Sequence, residues 1–317
     1  MVRTVRTARM TRMVTLLFLL VFSVPQSSCD QPAWTCPQIS EKSSEVSLSC
    51  QCEISHTLRC DGLSAGPAQL SHLVQEVASL PPDQRVSLLD ISVRNISRLH
   101  SKLFHSSQLR LSGLVVSTGS LSTVDRKAFS GLERSLAALG LPDNNLTKVP
   151  VTSLAPLQLL SRLDLSGNLV GKVTTLPRLS ELEYLDLSRN KISLLAAGWA
   201  QSTPSLRTLL LAWNQLDMKS LIQGDLQHLT YLQQLDLSHN KIAGQVSQAL
   251  VGSVCPAGVK TLDMSFNGLT GITRLALSRL TSLTALNLAA NRIDLVQDSA
   301  FSGNKPISPS SALNYHC

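Results

Sequence analysis

The feature that most constrains this chain is a frame of eleven places that recurs nine times. Its clearest copies are LSRLDLSGNLV, from Leu160 to Val170, and LEYLDLSRNKI, from Leu182 to Ile192. Leucine, or an aliphatic substitute, holds the first, fourth and sixth places. The frame starts at Val86, Leu111, Leu136, Leu160, Leu182, Leu206, Leu232, Val259 and Leu283, in steps of 25, 25, 24, 22, 24, 26, 27 and 24 residues. The ninth place is Asn144, Asn168, Asn190, Asn214, Asn240, Asn267 and Asn291 in seven copies, but Arg94 and Gly119 in the first two. A period of this length, held from residue 86 to residue 306, belongs to a stacked repeat and not to a ball-shaped domain.

Places four and six fall on the same side of a short strand, because strand side chains alternate with period two. One repeat alone cannot bury its leucines, but parallel strands stacked about 4.8 Å apart give them a continuous core. An inward asparagine can then satisfy backbone groups where each strand turns away, and a buried polar group left unmet costs roughly 1 to 3 kcal/mol. The return segments add apolar anchors at Phe104, Phe129, Trp199, Leu226 and Phe301. A leucine-rich helical protein is the competing reading, but the DLS that follows the fourth leucine breaks helical period and the recurring asparagine suits a helix interior poorly. The expected fold is therefore an α/β solenoid, a curved horseshoe with short parallel strands on its concave face. Places two, three, five, seven and eight are expected to face solvent there.

The flanks read differently. Residues 1–29 carry Arg3, Arg6, Arg9 and Arg12 ahead of an apolar run from Met13 to Val24, with Ser27 and Cys29 suited to a cleavage site; the expectation is a secretory signal peptide. Without those four arginines the formal charge falls from +7 to +3, which gives nucleic-acid binding little support. No later stretch reaches the length of a membrane span, so the product is expected to be extracellular, or held at the cell surface if a C-terminal anchor is missing from this sequence. Residues 307–317 lose the pattern, with Ser310 and Ala312 where inward leucines belong, and truncation of a longer protein is the favoured explanation.

Residues 30–85 hold four cysteines, Cys36, Cys50, Cys52 and Cys60, just ahead of the first repeat. A solenoid needs a cap on its exposed apolar end, and a short segment with little core needs staples, so two disulfides are expected. Three pairings satisfy the sequence. Zinc on these thiols with His56 is the rival, disfavoured by export and by the absence of a C-x-x-C pair. Between cap and repeats, AQLSHLVQEVASLPP puts Leu70, Leu73, Val74 and Val77 on one face of a short helix that stops at Pro81 and Pro82. Packing against the cap is the expected role of that face, with partner binding as the other reading.

Cys36-Pro37, then Cys50-x-Cys52, then Cys60, running into the repeats, resembles the extracellular leucine-rich-repeat superfamily and its cysteine-rich N-terminal flanking domain. The resemblance covers residues 36 to about 304, and its texture, as in SLLDISVRNISRL, is similar to chaoptin-like and Toll-like ectodomains. It implies pairing of Cys36 with Cys52 and of Cys50 with Cys60. One departure is the gap of thirteen residues between Cys36 and Cys50, wider than in compact versions. Members are adhesion molecules, receptors or secreted binding proteins.

No catalytic constellation, metal motif or cofactor motif stands out. H-E-x-x-H, G-x-S-x-G and a phosphate-cradling loop are missing, and no histidine is placed to activate the serines of the LDLS segments. The expected activity is therefore binding of an extracellular or cell-surface protein, with a glycan or microbial lipid as the alternative ligand. Candidate partner-binding residues are Arg189, Trp213, His239 and Phe266, all at place eight of consecutive repeats, with Tyr184 at place three nearby. Aromatic residues and arginine dominate interface energetics, although a large residue at place eight can also pack locally against the turn. Asp164, Asp186, Asp236 and Asp263 at place five should add an acidic column favouring a basic partner. Two sequons, Asn95-Ile96-Ser97 and Asn145-Leu146-Thr147, put asparagine at the outward tenth place and are expected to carry N-glycans.

Overall fold

A computed structural model describes residues 34–302 except 44–45, 53, 63–65 and 106–108. The expected signal peptide, residues 1–29, and the tail 307–317 lie outside the described residues.

One sheet of twelve strands runs the length of the molecule. It starts in the cap with three antiparallel strands, Ser40–Ser43, Val46–Gln51 and Thr57–Gly62. The third pairs in parallel with Leu88–Val93, the strand of the first repeat. Each later repeat adds one parallel strand in chain order, ending with Ala285–Asn287. Place four stays in register, with Leu163 beside Leu185, then Leu209, Leu235, Leu262 and Leu286. Because that register repeats in every layer, the leucines at places one, four and six form a continuous buried column. The backs of the repeats hold short helices and turns, among them Met218–Gly224 and Gln248–Val254, capped by the Asp217 carboxylate on Ser220 N–H (2.8 Å) and the Ser247 hydroxyl on Leu250 N–H (3.2 Å). Phe104, Phe129, Trp199 and Leu226 are buried beneath them, and Phe301 is half-buried.

The cap is stapled as the resemblance implies, Cys36 to Cys52 and Cys50 to Cys60. Its helix spans Pro67–Ser79 and buries Leu70, Leu73, Val74 and Val77, so the apolar face is spent on the core. Cys255 is free and buried, and burial pushes its thiol up to about 12.

The asparagines at place nine tie each repeat to the one before it. Asn190 Nδ2 donates to its own Leu187 carbonyl (3.0 Å) and to Leu165 of the preceding repeat (3.0 Å), while its Oδ1 accepts from Val170 N–H (3.0 Å). The same pattern recurs from Asn168 through Asn291. Asn144 opens the series by accepting from Thr118 N–H (3.0 Å) and donating to the Val116 carbonyl (2.9 Å). In the repeat with Gly119 at place nine, the hydroxyl oxygen of buried Thr118 accepts from Leu121 N–H (2.8 Å), the group that Asn144 would meet if the pattern held, and lies 2.9 Å from the Ile96 carbonyl.

Candidate binding surface

Place eight follows each strand, where the chain turns out of the sheet. The turn is left-handed in seven successive repeats: Asp143, Gly167, Arg189, Trp213, His239, Phe266 and Ala290 have φ between 51° and 67°. Glycine adopts such a φ freely, whereas a bulky side chain does so at a cost on the order of 1 kcal/mol. Trp213 and Phe266 nevertheless occupy it.

The in-register strands bring three of these side chains into one stack. The Trp213 and His239 rings lie 3.7 Å apart at 12°, and His239 and Phe266 lie 4.0 Å apart at 11°. Trp213 is 58% exposed and Phe266 52%. Desolvation depresses the His239 pKa, outweighing the pull of Asp236 and Asp263, so the middle ring is neutral at pH 7. The outcome is a solvent-facing ladder with its ring edges outward.

Arg189 continues the same column but is already engaged. The Asp143 carboxylate reaches across Gly167 to the Arg189 guanidinium at 3.0 Å, and a Cβ on Gly167 would collide with that carboxylate. Tyr184 is not part of the ladder. Its half-buried ring closes the end of a small cluster that Leu88, Val115 and Ala138 build across the earlier strands, with the Arg162 guanidinium 4.8 Å from its centroid.

The expected acidic column at place five needs correction. Asp164 and Asp186 are 3% exposed, and Asp236 and Asp263 are half-buried. Each holds the N–H two residues ahead, for example Asp164 on Ser166 (2.8 Å) and Asp186 on Ser188 (2.8 Å). Strand alternation does turn place five away from the leucine core, but Asp164 and Asp186 are buried there, with Tyr184 of place three beside both. Burial foremost, reinforced by the Asp186 charge, pushes Asp164 up to about 7, and burial likewise raises Asp186. Of the four, Asp236 and Asp263 alone are partly open to solvent, beside the ladder.

Asn95 and Asn145 are exposed. No group of three or more His, Cys, Asp or Glu side chains could hold a metal ion among the described residues, and none of their helices is long and apolar enough to cross a membrane.

What reading the sequence missed here is the extent of the place-eight column. Asp143 and Gly167, both tolerant of left-handed backbone, carry the signal that the whole column shares one turn.

Leucine-rich-repeat family models match residues 172–216 and 228–245. Podocan-like protein 1 of Mus musculus is 29% identical over 73% of this chain and 46% of its own length. Transforming growth factor beta activator LRRC32 of Mus musculus is 37% identical over 36% of this chain and 18% of its own length, and lumican of Mus musculus 30% over 64% and 57%. The chain spans about half the length of the first of these. None of these names is an enzyme's.

Proposed function

The chain folds as a leucine-rich-repeat solenoid, and on that premise we propose that it is an exported recognition protein, of adhesion or receptor type, that docks a protein partner on the Trp213, His239 and Phe266 ladder. The observation that carries this reading is that two large aromatic side chains stand more than half exposed on left-handed backbone. Strain of that kind persists where something else is gained, and functional sites are where it gathers. Three rings on consecutive turns at the ends of paired strands offer large contact area at little entropic cost, as interface hot spots do. Half-buried Asp236 and Asp263 beside the rings favour a partner with a cationic group next to an apolar one. That one relative is named an activator of transforming growth factor beta supports a protein ligand for this chain.

The test is to collect the tagged chain from the medium of secretory cells and probe an array of extracellular proteins, glycans and lipids. Retention by protein spots, undiminished by excess free glycan, is the expected result. Retention by glycan or lipid spots alone would overturn the proposal.

A further inference from the structure

On the convex side of the first three repeats lies a cavity of about 310 Å³ whose lining includes Lys102, Arg126, Lys127, Ser130, Glu133 and Thr152. Lys102, Lys127 and Thr152 are each 25 residues apart, so they occupy equivalent positions in consecutive layers. The backbone fixes the first two together, since Lys102 N–H donates to the Lys127 carbonyl at 2.7 Å and Lys102 is held at φ 63°. Like charges on directly bonded neighbours repel. None of the three cations forms an ion pair among the described residues, and Glu133, the acid in the lining, accepts from Gly131 N–H (2.8 Å). The Ser130 and Thr152 hydroxyls make no hydrogen bond there. The surroundings are also basic: residues 94–148 hold eight Arg and Lys against three Asp and Glu, whereas residues 30–93 hold three against eight.

We propose that this cavity binds a sulfate ester of a polyanionic polysaccharide whose chain runs along the stacked layers. A tetrahedral anion accepts several hydrogen bonds at once, which suits two hydroxyl donors flanked by cations. Lysines in successive layers, about 5 Å apart in the stacking direction, call for anionic groups repeated along a polymer more than for one isolated ion. The choice of polysaccharide over nucleic acid rests on the exported state of the chain; the site itself does not depend on the aromatic ladder.

The experiment uses the purified full chain and a heparin-derived octasaccharide at physiological salt, with the desulfated octasaccharide, a DNA oligonucleotide of equal charge and inorganic sulfate as comparison probes. The sulfated octasaccharide is expected to bind tighter than all three. The triple variant Lys102→Ala, Arg126→Ala, Lys127→Ala should weaken that binding by about tenfold, with an unchanged melt because all three side chains are exposed. The charge-matched variant Lys191→Ala, Lys241→Ala, Lys260→Ala, also at exposed positions, should stay within about twofold. Equal weakening by both triples would reduce the effect to net charge and overturn the site. Equal binding of the desulfated chain, of DNA or of inorganic sulfate would overturn the ligand assignment, and no binding of the octasaccharide would overturn the proposal entirely.

Discussion

Replacing Asn190 tests how the repeats are held together. Its side chain makes four bonds, but they are not equally exposed to loss. The Leu165 carbonyl also accepts from Asn168 (3.0 Å), and the Leu187 carbonyl also accepts from Asn214 (2.9 Å), so each keeps a donor in Asn190→Ala. Val170 N–H, in a fully buried residue, loses the partner that the side chain supplied. One orphaned buried donor costs about 1 to 3 kcal/mol. Asn190→Asp keeps that acceptor but turns an oxygen toward the carbonyls of Leu165, Leu187 and Ser188, now 3.0 to 3.1 Å from a donor. At pH 7 the carboxylate must either take up a proton or repel all three. Asp should therefore be worse than Ala, and the deficit should shrink as pH falls toward 4 and the carboxyl protonates. Exposed Gln234→Ala is the reference, with a cost under about 0.5 kcal/mol. Urea unfolding followed by Trp fluorescence suits the measurement, because buried Trp199 lies in the same repeat. An Asn190→Asp protein as stable as Asn190→Ala at pH 7 would mean that donation to the carbonyls contributes little and the account of the ladder is wrong.

Three further outcomes are expected. Thr118→Val should cost about 1 to 3 kcal/mol, as a ladder asparagine does, because Leu121 N–H loses its acceptor; a neutral effect in thermal melts would deny Thr118 that role. Asp164 holds its proton in the folded state up to about pH 7, whereas the unfolded chain loses it near pH 4, so its contribution to stability falls as pH rises between those values. Asp164→Asn keeps the acceptor for Ser166 N–H and should gain on the wild type from pH 4.5 to pH 8; a difference in melting temperature that stays constant with pH would contradict this. Chain secreted from glycosylating cells should lose mass on glycosidase treatment, in two steps separable by Asn95→Gln and Asn145→Gln, and an unchanged mass would refute both the export and the outward placement of these residues.

The scaffold was readable in the sequence because every layer repeats it. Nine copies of one frame place the strands, the leucine column and the asparagine ladder, and four closely spaced cysteines announce the cap. What the sequence hid arises between layers. Period-two alternation sends Asp164 and Asp186 outward, but both are buried, with Tyr184 of place three beside them, and no local pattern signals that cover. Aligning Gly119 with place nine conceals Thr118, whose hydroxyl meets Leu121 N–H from the adjacent place. The ion pair from Asp143 to Arg189 skips a whole repeat, and only the missing side chain of Gly167 makes room for it. The ring stack is intermediate, since equal places predict neighbouring rings but not face-to-face contact.

The central claim, that the ladder is the recognition surface, meets its most direct test in a comparison of two variants against the partner found on the array. Trp213→Ala with Phe266→Ala removes the outer rings, while Tyr231→Ala removes an equally exposed aromatic side chain, 60% accessible, outside the ladder. Binding measured by surface plasmon resonance on secreted, folded protein should be lost in the double variant, by at least about a hundredfold, and kept in Tyr231→Ala. Full-strength binding by the double variant would place the partner elsewhere and leave the rings as local packing on their turns.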